Sequence, residues 1–412
     1  MKKYIKQFGI ILIVAVQGFL ITASGNSAGT NISEPMSTKT AFEYFRDEGI
    51  TVGINLGNSL DAVDFWTNSD KPVSIETVWY NPRVNQAVFN GFKAHGFTIV
   101  RIPVTWNGHI GPAPDYKIED QWLKRVAEVA GYAKNAGLKA IINIHHDGHH
   151  DMGGWLLIDK SKNDPSISNK FEKVWRQIAG YFINYGDWLM FQGFNEINNG
   201  VFGTPGTSQE YKIINDWNQR FTDAVRSTGG NNALRYLIYY GYNAHYSISN
   251  SRTQFILPTD TAKGRQIVAF HYYDPVNFVM RTTTPNWGTR QEKTAIDSVF
   301  KAFKTKFINK NIPIIIGENG PFKYSKHVGN PKYNAANDAT AQQSRLNYID
   351  HFYSRARENG IVPCYWDNGS FDPTYEDGDC TLFNRNTGQP NSAESAAVIQ
   401  HMISAIKNAA PQ

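Results

Sequence analysis

Two carboxylates at the ends of apolar runs are the residues of this chain best placed to do chemistry. Glu196 closes the run Leu189-Met190-Phe191-Gln192-Gly193-Phe194-Asn195, and Glu318 closes Ile312-Pro313-Ile314-Ile315-Ile316-Gly317. Each run is short, apolar and bounded by polar residues, the pattern of a buried strand whose last side chain emerges at its C-terminal tip. The acids lie 122 positions apart (318 minus 196), so only a fold that gathers strand ends brings them together. Facing each other, they could share the cleavage of a glycosidic bond, one attacking the anomeric carbon while the other protonates the leaving oxygen. A separation of about 5 to 5.5 Å suits direct attack, whereas a wider gap admits a water and inverts the configuration.

Other strand tips supply a supporting set. Asn55, Asn58, Arg101, His145, His146, Asn195, His271, Tyr273 and Trp366 all fall at or just beyond apolar runs, more polar tips than contact with solvent requires. An arginine beside one carboxylate holds it ionised as a nucleophile, and an acid with less charge compensation keeps its proton near neutral pH. Asn195, next to Glu196, suits a sugar hydroxyl beside the reacting carbon. Sugar rings present apolar C–H faces that suit aromatic rings. Trp66, Trp79, Trp106, Trp155, Trp287 and Trp366 fall in loops or at tips, and about half of them are expected to meet a ligand. Trp122, Trp175 and Trp217 lie in helical patterns and read as core.

The stretch His145-His146-Asp147-Gly148-His149-His150-Asp151 has the residue types of a zinc site. Successive strand residues point to opposite faces, and Gly148 interrupts any register that would pair histidines on a helix. No metal is therefore expected; His145 and His146 read as sugar ligands, and His149, His150 and Asp151 as a solvated loop. The nucleophile-elbow pattern Gly-x-Ser-x-Gly occurs only in the leader, at Gly25-Asn26-Ser27-Ala28-Gly29, and is absent from residues 38–412; a phosphate-binding glycine loop is absent, and no cofactor is expected.

The elements that must position these residues alternate along the chain. Strand candidates run over 52–56, 98–102, 139–144, 189–194, 236–240, 266–270, 313–316 and 362–365. Helical spacing appears between them, as in Trp122, Val126, Val129, Ala130, Ala133 and in Phe171, Val174, Trp175, Ile178, Phe182. Gly137 and Gly360 stand where helices should stop before the third and eighth strands. Eight strands, each followed by a helix, the last over 393–408, predict an α/β fold of the (β/α)₈ barrel type in one domain, with its site at the strands' C-terminal ends.

The chain of 412 residues, 41% hydrophobic and 19% charged, has the composition of a globular protein rather than a disordered one. Lys2, Lys3 and Lys6 precede an apolar run from Phe8 to Ile21 with small residues after it, which reads as a secretory signal over residues 1–23. Residues 24–37 read as a flexible leader and residues 38–412 as the folded domain. Loss of the signal removes three lysines and no acid, taking the formal charge from +5 to +2. That balance does not suggest nucleic acid, and no membrane association is expected once the signal is cleaved. A secreted monomer, extracellular or periplasmic, is the expectation. Cys364 and Cys380 are the only cysteines, and geometry decides whether they pair.

The ordered set Gly53-Ile54-Asn55-Leu56-Gly57-Asn58-Ser59-Leu60-Asp61, Val100-Arg101-Ile102-Pro103-Val104, Ile144-His145-His146-Asp147, Phe194-Asn195-Glu196, Phe270-His271-Tyr272-Tyr273, Ile316-Gly317-Glu318 and Trp366-Asp367-Asn368-Gly369 resembles glycoside hydrolase family 5. Within that family it is most similar to the endo-β-1,4-glucanases, including members active on xyloglucan and mixed-linkage glucan; Gly153-Gly154-Trp155-Leu156-Leu157 resembles the same subgroup. The resemblance implies Glu196 as acid/base and Glu318 as nucleophile. It places Arg101, His145, Asn195, His271, Tyr273 and Trp366 at the cleaved bond, and Asn58, Asp61 and His146 by neighbouring sugars. The implied substrate is a β-glucan polysaccharide, cut internally with retention of configuration. Ile197, where the family usually has proline, and Asn319 depart from the pattern and bear on loop shape. The same machinery on a β-mannan or xylan, and a carbohydrate-binding protein without catalysis, are the alternatives.

Overall fold

The structure is a computed structural model that describes residues 33–67, 72–203, 206–249, 254–325, 330–369 and 380–411. The expected signal and residues 24–32 of the leader lie outside the described residues. Eight parallel strands close into a barrel: β1 Gly53–Asn55, β2 Ile99–Ile102, β3 Lys139–Asn143, β4 Leu189–Gln192, β5 Leu237–His245, β6 Gln266–Tyr272, β7 Ile314–Asn319 and β8 Ile361–Tyr365. Each pairs with its sequence neighbours, and β8 closes on β1. These are the eight expected strands, although β5, β6 and β7 run further at their C-terminal ends than their apolar runs do.

Long helices fill the crossovers: α1 Gln86–Ala94, α2 Asp120–Asn135, α3 Pro165–Tyr181, α4 Ser208–Ser227, α5 Arg290–Lys306, α6 Asp338–Glu358 and α7 Ala393–Asn408. Their apolar stripes face the barrel. In α3 the buried residues Ile167, Phe171, Val174, Trp175 and Ile178 follow a helical period. Local signals set the ends. Asp164 caps α3 ahead of a proline in its first turn, and Thr207 with Glu210 forms a capping box on α4. Gly137 and Gly360 adopt the left-handed conformation just past α2 and α6, with φ of 74° and 72°. One crossover departs from the expectation. Among the described residues β5 is followed only by a 3₁₀ turn, Tyr246–Ser249, because the strand itself continues to His245 and consumes the residues a helix would need.

Two features matter for the site. β7 carries an extra residue: Phe270 pairs with Ile316, but His271 pairs with Glu318, so Gly317 forms a bulge. Bulges re-aim the side chains that follow them, and this one delivers Glu318 beside His271. A short antiparallel ribbon, Val63–Asp64 with Val73–Ser74, rises from the loop after β1 and carries the exposed pair Phe65 and Trp66.

At the opposite end, residues 33–40 lie along the barrel floor. Glu34 accepts from Gly186 N and pairs with Lys134, and Arg265 donates to Ser37 O. Beside them the buried Arg235 donates to Gly186 O, Leu189 O, Phe182 O, Tyr185 O and Asn232 Oδ1 at 2.6 to 3.1 Å. Burial pushes its pKa down to about 9. Both cysteines are buried, and Cys364 is a thiol whose pKa burial pushes up to about 12. Among the described residues no helix is long and apolar enough to cross a membrane.

Arg235→Met removes a donor from four buried carbonyls and from Asn232 Oδ1, each lost hydrogen bond being worth about 0.5–1.5 kcal/mol. Urea unfolding is expected to show a loss of at least about 3 kcal/mol, with turnover per folded molecule unchanged, since the site lies at the other end of the barrel. A loss below about 1 kcal/mol contradicts this account of the floor.

Candidate active site

At the C-terminal ends of the strands a fully buried cation organises the polar residues. Arg101, from β2, has no exposed surface. Its Nη1 donates to Glu318 Oε1 at 2.8 Å and to Asn55 Oδ1 at 2.9 Å, its Nε to Gln192 Oε1 at 2.8 Å, and its Nη2 to Asn195 Oδ1 at 2.6 Å. Strands β1, β2, β4 and β7 thus converge on one guanidinium. Asn55 also donates to Gly317 O and Tyr365 O, tying β1 to the bulge and to β8.

The two acids sit in different surroundings. Glu318 receives Arg101 on one oxygen and the Tyr273 hydroxyl, at 3.1 Å, on the other. Glu196 Oε1 stands 2.6 Å from His271 Nδ1 in a hydrogen bond, and the same nitrogen stands 3.5 Å from Glu318 Oε2. One oxygen of each carboxylate and a ring nitrogen of His271 all lie within 4.8 Å of one another. Burial pushes the pKa of Glu196 up to about 7, with the charges of Arg101 and His149 pulling the other way. Burial pushes His271 down to about 3, so the imidazole between the acids is neutral near pH 7. Tyr273 is held well above the usual phenol range by burial and by Glu318.

On the side of β1 and β3 the remaining sequence-predicted residues form a wall. Trp366 lies parallel to His145, ring centroids 5.9 Å apart and 4° between planes. His145 accepts at Nδ1 from Asn143 and is kept neutral by burial. His146 meets Trp79 at 5.5 Å and stands 3.8 Å from Asp61. Asp61 itself has no exposed surface; its oxygens accept from Ser59 N and Asn58 N, so it shapes the loop that presents Asn58, and burial pushes its pKa up to about 7.

Asp61, His145 and His146, like Glu196, His271 and Glu318, place one potential ligand atom each within 4.8 Å of the others. In the second cluster Arg101 already supplies the positive charge, and both nitrogens of His271 are engaged, by Glu196 and by the Tyr240 hydroxyl. His149 and His150 are half-buried on two 3₁₀ turns rather than freely solvated, and His150 pairs with Asp159 at 2.9 Å.

Among the loop tryptophans, Trp106 and Trp287 are core. Trp106 donates to Asn143 O, and Trp155 to the buried Asp147. Trp66, 53% exposed, and Trp366 remain available to a ligand. The expectation for Trp122, Trp175 and Trp217 holds, all three being buried. Two residues of the site escape the sequence reading. Gln192 stands as a lone amide inside an apolar strand, a signal in itself; Tyr240 follows another tyrosine and gives none.

A closed parallel barrel with two acids bridged by a histidine, one of them also held by a buried arginine, at its C-terminal face defines a glycoside hydrolase of the cellulase type. The comparisons with known proteins agree. Residues 61–372 match the model of the cellulase family, glycosyl hydrolase family 5, and the chain belongs to that family. A xyloglucan-specific endo-β-1,4-glucanase of Bacteroides ovatus is 36% identical over 84% of this chain and 67% of its own length. Endoglucanase A of Paenibacillus barcinonensis is 33% identical over 90% of this chain and 92% of its own. Among solved structures, a broad-specificity endoglucanase from Bacteroides salanitronis superposes with a TM-score of 0.78 at 36% identity, covering 93% of this chain and 99% of that one.

The two surroundings predict a direct observable. With ¹³C-carboxyl glutamate, the resonance lost in Glu196→Gln is expected to titrate near pH 7. A midpoint in the ordinary glutamate range, about 4.3, contradicts the account of its burial.

Proposed function

We propose that this chain is a secreted endo-β-1,4-glucanase that cuts internal bonds of a cellulose-type, mixed-linkage or xyloglucan polysaccharide by double displacement. One observation carries the reading: an oxygen of one carboxylate within 4.8 Å of an oxygen of the other, the first acid held by Arg101 and Tyr273, the second by a neutral His271. That spacing suits direct attack rather than attack through an intervening water.

In the first step an oxygen of Glu318 attacks the anomeric carbon, the bond to the leaving sugar breaks, and the Glu196 proton moves to the departing oxygen. The burial that raises the Glu196 pKa keeps that proton available near neutrality. In the second step Glu196, now a carboxylate, takes a proton from water, whose oxygen displaces Glu318 from the same carbon. Arg101 and Tyr273 hold Glu318 in line, Asn195 reaches the hydroxyl beside the reacting carbon, and His145 and Trp366 form the floor under the ring. Asn58 and His146 meet the sugar beyond, with Asp61 beneath them holding the loop. The names of the relatives support a glucan or xyloglucan substrate, the residue pattern at the N-terminus supports export, and the chain acts as a monomer without a cofactor.

The test is a reducing-sugar assay across carboxymethyl cellulose, lichenan, xyloglucan, β-mannan and xylan. The wild type is expected to release sugar from the first three and far less from the last two. Glu196→Gln and Glu318→Gln are each expected to lower kcat by at least about 100-fold with the fold intact by circular dichroism. Substantial retained activity in either variant, or a preference for mannan or xylan, contradicts the reading.

A further inference from the structure

The side of His271 that faces away from the acids carries information about where the Glu196 proton sits. A neutral imidazole has one N–H and one acceptor nitrogen, and what its second nitrogen meets decides which is which. Protonated Glu196 and His271 can share one hydrogen bond in two ways. In one, His271 Nδ1–H donates to Glu196 Oε1 and the acid's proton rests on Oε2. In the other, Glu196 Oε1–H donates to a bare Nδ1 and the proton points at the histidine instead of a substrate. Between them these two count equally in hydrogen bonds, so the choice falls to whatever faces Nε2.

That partner is the Tyr240 hydroxyl, 2.8 Å from Nε2, and its direction is set by groups whose polarity cannot reverse. Arg101 donates to Gln192 Oε1. Asn143 Nδ2 donates to the same oxygen at 3.1 Å, its amide orientation being fixed by Val104 N–H, which occupies Asn143 Oδ1. An arginine and a backbone amide are donors only, so Gln192 presents its NH₂ on the other side. That Nε2 is buried with no hydrogen-bond partner among the described residues, and it bears on the nearby Tyr240 hydroxyl as an unspent donor. His271 Nε2 is the one hydrogen-bond partner of the Tyr240 hydroxyl among the described residues, so a hydroxyl hydrogen turned anywhere else would be buried without an acceptor, and Tyr240 turns it to His271 Nε2.

The backbone makes room for this contact. A Cβ on Gly317 would stand 1.8 Å from the Tyr240 oxygen and 3.1 Å from His271 Nε2, so the residue before Glu318 is open where the two rings meet. We propose that Tyr240 is a positioning residue, with the amide of Gln192 held behind it by Arg101: the hydroxyl fixes the His271 proton on Nδ1 and so leaves the Glu196 proton on Oε2. The same arginine that binds Glu318 thereby also bears on the geometry of Glu196, four steps away through Gln192, Tyr240 and His271. The inference rests on Glu196 being the acid/base.

The test reads the tautomer first, in the intact enzyme. With ¹⁵N-histidine, and His271 assigned by its loss in His271→Ala, the wild type is expected to show a pyrrole-type Nδ1 and a pyridine-type Nε2 near neutral pH. The reverse pattern overturns the inference without any variant. Gln192→Glu supplies a carboxylate that accepts from both Arg101 and Tyr240, turning the hydroxyl around, and is expected to move the His271 proton to Nε2. Tyr240→Phe removes the selecting donor. It is expected to mix the two patterns and lower kcat by about 10- to 100-fold, a fraction of what general acid catalysis is worth, with KM little changed. Because Glu196 then loses part of a donor to its carboxylate, it holds its proton more tightly and the alkaline limb of kcat moves to higher pH. Wild-type kcat and an unmoved limb in Tyr240→Phe, alongside an inactive Glu196→Gln, overturn the inference alone. Activity retained in Glu196→Gln overturns the functional reading and this inference with it.

Discussion

A guanidinium with no contact to solvent is the constraint from which the rest of the site follows. Removing a charge of this kind from water costs several kcal/mol even after the protein relaxes, and the cost is met only when its donors are all engaged in good geometry. Arg101 meets that demand with Glu318, Asn55, Gln192 and Asn195, drawn from the ends of three other strands. None of the four can be altered independently, since losing one leaves a buried donor unmatched. The barrel is what makes the convergence possible, because its parallel strands all end at one face.

The same cation makes the two carboxylates unequal. Glu318 lies directly against it, while Glu196 meets it only at a distance and has a neutral imidazole for its nearest partner. Two acids of one chemical type thereby meet different surroundings, the arrangement that the proposed double displacement needs. The bulge at Gly317 completes the asymmetry, since it sets Glu318 opposite His271 rather than one residue out of register, and the open backbone there admits the Tyr240 hydroxyl.

Much of this is legible from the amino acids. Apolar runs ending in Glu196, Glu318, Arg101 and His271 mark strands and tips together, because a buried strand has no reason to end in a charge unless something waits there. The amphipathic stripes of α2 and α3 read equally plainly. What escapes is what depends on neighbours distant in sequence. Trp106 and Trp287 look like loop aromatics, yet the surrounding elements fold over them. Asp61 looks like a ligand, yet its two oxygens are taken by the loop it terminates. Gly317 inside Ile-Ile-Ile-Gly-Glu does announce a bulge by rule, but the partner it accommodates, Tyr240, comes from a strand 77 positions earlier (317 minus 240) and has no local mark. The helix expected after β5 fails for a related reason: the strand's continuation to His245 is a matter of sheet pairing with His271, which local composition does not encode.

The proposed mechanism requires Glu318 to attack the sugar carbon itself, and the configuration of the first product reports that event. Proton NMR of a fresh digest of a soluble β-glucan, followed from the first turnovers before mutarotation intervenes, reads the anomer directly. The β anomer appearing first, with the α anomer growing in later, is the result expected of two successive displacements at one carbon. An α anomer appearing first would mean that water attacks in a single step, and it would contradict the assignment of the two carboxylates.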